Sequence, residues 1–470
     1  MFIRRTLALL ALLTVAACTM GAPPPQTAST GHSPPLPREI ERDVGGAYPS
    51  PALQSLVERV GQKLATGSGL GDRFRFYVLD QPLANAHALS SGYIFVTRGL
   101  LALLDDEDEL AAAMGHEMGH VMQRHAAQRE QARRKVIDAA VDAALVSGSV
   151  TVGRSVARSG LLALRRYSRE QELEADRLGV SYLVRAGYRS DAMTTLIEKL
   201  QRQSALEERI WGQQDPSDPA DQRSALSTHP GPEERLAALP RAVSARRPGG
   251  AGDRAGYLEQ LDGMSVDDAP QEGFVRGPAF RHPILRLAFD APPDFRLLND
   301  RDGILGVGRD RSLLYFSCGA DRIEGPLATW MRDQMKPTPT DIQAVTIGGA
   351  EAAIGARARG ADAGLGQVRY VVVRHGDGVC YFNLLADGPD RDRRIELLVS
   401  SARTLRPLSE SEAAALRPYR LRIVSGGPAP AQLAARLPYP ELKMERLLTL
   451  NGVASPAELA RLPQVKIVEP

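Results

Sequence analysis

Apolar and polar positions change their spacing several times along the chain, and each change predicts a different element. The first apolar run, LALLALLTVAA after Arg4 and Arg5, is too short to span a bilayer as a mature helix and reads as a secretory signal core that is removed. TMGAPPPQTASTGHSPPLP (19–37) has little to bury, so it predicts a flexible tether in which His32 is inert. GYIFVT (92–97) reads as a strand. The acidic run Asp105 to Asp108 then precedes ELAAAMGHEMGHVMQRHAAQRE, where Asp105 or Asp106 caps a helix whose dipole the acids complement. A second helical pattern, YSREQELEADRLGVSYL, carries Leu173, Val180 and Leu183 on one face. Between them, VIDAAVDAALVSGSVTVG (136–153) is interrupted by Asp138, Asp142 and glycines and predicts a buried or interfacial helix, not a membrane span.

Beyond the helix-like PEERLAAL, SARRPGGAGDRAG (244–256) has linker composition. From residue 257 to about 408, PILRLAFDAP, ILGVGRD, SLLYFSC, VRYVVVRHG and VCYFNLL read as strands, while PLATWMRDQM and RRIELLVSSARTL read as helices. His282, His375 and Trp330 in this region read as packing or surface residues. The remaining segment, 409–470, has a strand, helix, helix, strand rhythm. The fold class is therefore α+β: a mainly helical domain with a small sheet (38–243), an α+β domain (257–408) and a small βααβ module (409–470).

Composition narrows the function. With 470 residues, 43% hydrophobic, 24% charged and a net charge of +2, the chain has the balance of a multidomain globular protein and lacks the basic excess of a nucleic-acid binder. Val15, Ala16 and Ala17 before Cys18 resemble the bacterial lipobox, which implies that Cys18 is lipidated and anchors the chain to a membrane; Thr19 favours the outer membrane. Cys318 and Cys380 then remain, either bridged or as two buried thiols.

Chemistry concentrates in GHEMGHVMQRH (115–125). His116 and His120, four residues apart, project from one helix face toward one ion, with Glu117 beside them: the HExxH arrangement. Zinc suits two neutral imidazoles, and a neighbouring carboxylate can take a proton from water that the ion acidifies. A third ligand is required, and Glu172 on the second helix supplies it; Asp176, one turn on, would accept the remaining ring N–H of His116. Taken alone, Glu172 and Asp176 among Glu170, Glu174 and Arg177 read as a solvated helix face, and only HExxH changes that reading. His125 lies off the ligand face, as a supporting or surface histidine.

Four ordered motifs over roughly residues 40–240 resemble one family of zinc metallopeptidases, which includes the CAAX prenyl protease, HtpX and the mitochondrial protease Oma: NAHALSSGYIFVTRGLL, HEMGH, the SRxxExxAD pattern from Ser168 to Asp176, and STHPGPEER from Ser227 to Arg235. The resemblance implies one zinc per chain on His116, His120 and Glu172, Glu117 as general base and Asp176 as the orienting partner. It also implies that GYIFVT is an edge strand to which substrate adds, flanked by Asn85 and Ser90 to Gly92, with Tyr93, Ile94 and Phe95 on the strand. His229 sits where periplasmic relatives place a histidine that stabilises the oxyanion or fills the open metal position; a plain loop histidine before Pro230 is the competing reading. The 257–408 region resembles the Mog/PsbP-like domains that accompany such peptidases, and 409–470 resembles a LysM module whose usual Gly-Asp-Thr is replaced by Gly426, Gly427, Pro428 and Ala429.

These readings converge on a lipid-anchored, periplasmic zinc metalloendopeptidase acting on misfolded or stalled envelope proteins. The alternatives are a chaperone for outer-membrane protein assembly with a gated, rarely active site, and a scaffold tethered to peptidoglycan.

Overall fold

The computed structural model describes residues 35–44, 46–147, 150–211, 229, 231–239, 253–300, 303–319, 322–336, 338–357, 367–386 and 388–470. The signal, Cys18, most of the tether and the greater part of the expected linker lie outside them. Two compact units result: Asp267–Pro418 forms one, and the residues up to Val266 join Tyr419–Glu469 in the other. The fold is α+β, helical first and β-rich afterwards.

The helical unit runs α1 (Arg38–Val44), α2 (Pro51–Gly67), β1 (Arg75–Leu79), β2 (Ala86–Ala88), β3 (Tyr93–Thr97), α3 (Arg98–Leu103), α4 (Glu107–Met122), α5 (His125–Ser147), α6 (Val150–Arg185), α7 (Ala192–Trp211), α8 (Pro232–Ala238) and α9 (Arg254–Leu261). Helix α2 starts where Ser50 caps it, with Pro51 in its first turn, and buries Leu53, Leu56, Val57, Val60 and Leu64 at helical spacing. Helix α4 is different, because every residue from Asp108 to His120 is buried. A helix covered on all sides can hold histidines and a glutamate only where each finds a partner. Its cap is Asp106, which accepts a hydrogen bond from the Glu109 amide at 2.9 Å.

The small sheet has the order β1-β3-β2. Strand β3 is parallel to β1 and antiparallel to β2, so both of its edges are paired. This corrects the expected substrate strand: Tyr93, Ile94 and Phe95 have no free edge, and the outer strand is β2. Gly92 has a structural reason instead, since its φ is 93° and a Cβ there would meet the Arg73 carbonyl oxygen at 2.3 Å. Asn85 stands at the start of β2, its carbonyl accepting from the Thr97 amide and hydroxyl.

The second unit comprises β4 (Phe274–Arg276), β5 (Ala279–His282), β6 (Leu287–Asp290), β7 (Phe295–Asp300), β8 (Gly303–Gly308), β9 (Leu313–Gly319), α10 (Leu327–Gln334), β10 (Thr340–Ile347), β11 (Ala350–Ala356), β12 (Gln367–His375), β13 (Gly378–Ala386), α11 (Arg391–Ala402), β14 (Arg406–Pro407) and α12 (Glu410–Ala415). Seven strands form an antiparallel sheet in the order β10-β11-β12-β13-β9-β8-β7. Helix α10 packs Leu327 and Met331 on the face of Ala353, Val372 and Val379. The alternate residues Val371, Val373 and Cys380 meet Ile395 and Leu398 of α11 on the other face. Cys318 and Cys380 lie directly opposite in β9 and β13 and form a disulfide.

The chain then returns to the helical unit as β15 (Arg420–Ser425), α13 (Pro430–Arg436), α14 (Lys443–Leu450), α15 (Pro456–Leu459) and β16 (Gln464–Glu469), with β15 and β16 antiparallel. The expected boundary near residue 257 is corrected: Tyr257, Leu258, Leu261 and Met264 lie in the core that holds α2 and α4, and so does Leu421 of β15. The reason is burial: Tyr257, Leu258 and Leu261 of α9 are at most 1% exposed within that core. Among the described residues no helix is long and apolar enough to cross a membrane. Of the stretch 136–153, Ile137, Val141, Leu145 and Val146 are exposed, so of the two expectations, buried or interfacial, burial is not found at these positions.

Candidate metal centre

Three segments meet at α4. Helix α6 approaches it closely because small residues face each other: a Cβ on Gly115 would lie 3.4 Å from Gly179 Cα, and one on Gly119 would lie 3.0 Å from the Ala175 carbonyl oxygen. That approach carries Glu172, fully buried, to the two histidines of α4. His229, just before α8, completes the group; Gly231, with φ at 82°, turns the chain from it into that helix.

The ligand atoms of His116, His120, Glu172 and His229 all lie within 4.8 Å of one another. His116 Nε2 is 3.0 Å from His120 Nε2 and 3.1 Å from His229 Nδ1. Glu172 Oε2 is 3.3 Å from His116 Nε2 and 3.0 Å from His229 Nδ1, and Oε1 is 3.3 Å from His120 Nε2. Two nitrogens on a tetrahedral zinc sit about 3.3 Å apart when each is about 2.0–2.1 Å from the ion. The donor set therefore has the size and chemistry of a zinc site. Glu172 Oε1 is buried and accepts no hydrogen bond among the described residues, an orphan that a cation would satisfy.

The outward-facing nitrogens are also engaged. His116 Nδ1 donates to Asp176 Oδ1 at 2.8 Å, as the sequence led us to expect. Arg235 of α8 holds the same carboxylate with two hydrogen bonds, Nε to Oδ2 and a terminal nitrogen to Oδ1, both 2.7 Å. On the other histidine, His120 Nδ1 is 2.9 Å from His125 Nδ1, whose Nε2 is 3.3 Å from Glu174 Oε2. One tautomer chain fits this geometry: Nδ1–H of His120 donates to His125, and Nε2–H of His125 donates to Glu174, leaving His120 Nε2 free to bind. From sequence, His125 reads only as a supporting or surface histidine and Arg235 has no assigned role. For His125 the signal was a third histidine five residues past His120, at the start of α5; for Arg235 it was an arginine in a motif that already held His229.

Charge follows the same geometry. Burial lowers the pKa of His116, but hydrogen bonds to Asp176 and Glu172 outweigh it and raise the value to about 9 in the metal-free chain. Burial and the neighbouring histidines lower His120 to about 3. Although burial pushes Asp176 up, Arg235 and His116 hold it at about 2. Burial opposes ionisation of Glu172 too, yet His229, His116 and His120 keep it well below the ordinary carboxylate range. Glu117 is the exception: burial raises its pKa above the usual value, suiting it to gain and lose a proton. Its Oε1 lies 3.3 Å from His229 Nε2, so that ring spans from the ligand cluster to Glu117.

Strand β2 lies against α4. Its His87 pairs opposite Phe95, with ring centroids 5.0 Å apart, and burial together with His229 lowers His87 to about 4. His87 is therefore a neutral ring on the outer strand next to the cluster, with no local motif in the sequence to mark it.

Residues 51–243 match the model of peptidase family M48. The putative beta-barrel assembly-enhancing protease of Vibrio cholerae is 31% identical over 200 residues, 40% of this chain and 38% of that protein. The beta-barrel assembly-enhancing protease of Escherichia coli is 28% identical over 244 residues, 49% of this chain and 47% of that protein. The mitochondrial metalloendopeptidase OMA1 of Schizosaccharomyces pombe is 32% identical over 146 residues, 31% of this chain and 43% of that protein. The chain thus spans less than half the length of these curated relatives.

Proposed function

We propose, from the match of residues 51–243 to peptidase family M48, that the protein is a zinc metalloendopeptidase that hydrolyses envelope polypeptides. The observation that carries this reading is the convergence of His116, His120 and Glu172 with Glu117 beside them. Zinc bound by those three side chains would supply a Lewis acid that acidifies water and polarises the scissile carbonyl. The other steps belong to the chain. Glu117, its pKa raised by burial, takes the proton of the attacking water and returns it to the leaving amine. Asp176 holds His116 in the tautomer that presents Nε2, and Arg235 holds Asp176.

Substrate would bind as an added strand on β2. In an antiparallel pair the residues alternate between facing the partner and facing away. Asn85 and Leu89 bond to β3, so His87 does as well, leaving the amides and carbonyls of Ala86 and Ala88 pointing outward. An extended peptide paired there would run beside α4.

In the resting chain His229 stands in the way. Its Nδ1 points to the ligand cluster and its Nε2 to Glu117, so it fills the place of the attacking water and engages the base. This supports a gated enzyme that opens when the His229 ring leaves the cluster. Lipid anchoring through Cys18, a periplasmic location facing the outer membrane, and clearance of misfolded or stalled envelope proteins extend the reading; the names of the Vibrio and Escherichia relatives support the envelope setting. The gate also favours a second reading, an assembly chaperone that seldom cleaves. A LysM-like role for 409–470, with peptidoglycan as partner, ranks behind both.

The test is degradation of an unfolded protein by the wild type, Glu117→Gln and His229→Ala, with bound metal quantified. The peptidase reading expects one zinc per chain, activity in the wild type, none in Glu117→Gln and more in His229→Ala. No zinc, or equal cleavage by Glu117→Gln, would refute it. Zinc without cleavage in any variant would favour the chaperone.

A further inference from the structure

The module from residue 419 on looks from sequence like an appendage, yet it carries a lysine that reaches the turn just before the metal helix. Lys466 of β16 has a side-chain exposure of 0%. Its Nζ donates to the carbonyls of Ala102, Leu103 and Leu104 at 2.9, 3.2 and 2.8 Å, and lies 3.0 Å from Asp105 Oδ1. These carbonyls sit at the end of α3, where helical amides do not reach them. Leu104, Asp105 and Asp106 are the whole connection to α4.

Asp105 is shared. Lys199 of α7 lies 2.7 Å from its Oδ2 and 2.6 Å from Glu109 Oε2, while the Asp105 amide donates to Glu109 at 2.7 Å. Strand β16 is itself fixed around the lysine: Asn451 Oδ1 accepts the Lys466 amide and Asn451 Nδ2 donates to its carbonyl, both at 2.8 Å. Arg202 donates to the Gly452 carbonyl at 2.9 Å and Arg254 to that of Gln464 at 3.2 Å, joining the module to α7 and α9. A buried ammonium costs several kcal/mol unless its partners are well placed. At a strand position flanked by buried Val465 and Ile467, an apolar side chain would serve packing alone.

We infer that Lys466 is a positioning residue for catalysis: the module of residues 419–469 is a strut that fixes where α4 begins, and through α4 the direction of His116, Glu117 and His120. The inference rests on the peptidase reading above. Thr97 caps the other end of α3 and Arg98 bonds Asp80 there, while Lys466 and Lys199 hold the α3–α4 turn at Asp105, and Lys466 alone of these two also takes the three carbonyls.

The test compares full-length Lys466→Met, which keeps length and removes charge, with Leu433→Ala, which opens a cavity in the module's own core away from Asp105. Both are assayed well below their melting temperatures. A positioning role expects Lys466→Met to keep one zinc per chain and a KM within twofold, while kcat falls at least tenfold; Leu433→Ala should keep kcat within twofold. An unchanged kcat in Lys466→Met, or equal losses in both variants, would overturn the inference. If Lys466→Met does not fold, Asp105→Asn replaces it under the same criteria. If the wild type itself cleaves nothing, the peptidase reading falls, and amide exchange decides the strut separately. Lys466→Met must then speed exchange across residues 107–122 at least tenfold over Leu433→Ala, and equal rates would overturn it.

Discussion

Replacing Arg235 by methionine tests whether the metal centre depends on an arginine whose two shortest bonds go to Asp176, with Glu172 Oε2 3.6 Å from its guanidinium. The side chain is 3% exposed and makes two hydrogen bonds of 2.7 Å to Asp176, which in turn holds His116. Met fills much of the same volume but leaves a buried carboxylate with one partner. Breaking a buried pair from one side costs about 3–5 kcal/mol in stability. The share felt by the metal is smaller, since loss of an orienting partner lowers affinity about 10–100-fold, or about 1.4–2.7 kcal/mol. Asp176 also predicts the pH response. Its folded pKa is depressed to about 2, so the stability it contributes is present above its unfolded value and is lost as pH falls through about 2. Without Arg235 the folded value rises and that loss moves to higher pH. Competition with a chelator at neutral pH gives the zinc affinity, and thermal melts from pH 3 to 8 give the stability. Arg235→Lys, one point charge in place of a fork, should fall between. A folded Arg235→Met that binds zinc within threefold of the wild type would refute the reasoning.

Three further outcomes are expected. Zinc binding should release about one proton near neutral pH, because His116 in the metal-free chain is raised to about 9 by Asp176 and Glu172 against the effect of burial; calorimetry in two buffers of different ionisation enthalpy reads it, and identical heats would contradict it. Ala88→Pro should raise KM severalfold with zinc content unchanged, since it removes an outward amide of β2 while sparing the bonds to β3; steady-state kinetics on a peptide decides, and an unaltered KM would return the binding strand to open question. Cys318→Ala with Cys380→Ala removes a cross-link between residues 62 apart and should cost the β-rich unit about 2–4 kcal/mol, seen as a lower melting temperature that reductant no longer changes.

The catalytic helices were legible because their chemistry is local. HExxH needs only a helix, and Asp105 to Asp108 announced its start; Asp106 is the cap. Glu172 and Asp176 were reachable by the same period of four. Strand β3 was found and misplaced for a physical reason: its residues are apolar enough to lie between two partners, and sequence alone gives no neighbour order. Strand β11, AEAAIGA, went unseen because alanine and glycine do not favour strands. Its small side chains are needed where α10 packs, since a Cβ on Gly355 would meet Met331 Sδ at 2.7 Å. Least legible were contacts across the whole chain. Lys466 and Ala102 are 364 residues apart, and no local pattern pairs them.

That separation also sets an order of events during synthesis. The helical unit is interrupted by Asp267–Pro418 and resumes only at Tyr419, so the ribosome makes β16 after the entire inserted sheet. A nascent chain can form α4 and α6 early, but the turn that launches α4 lacks its ammonium until the last strand docks. Completion of the α3–α4 turn is thereby tied to synthesis of β16, so the candidate metal centre gains this support only after the inserted sheet has been made.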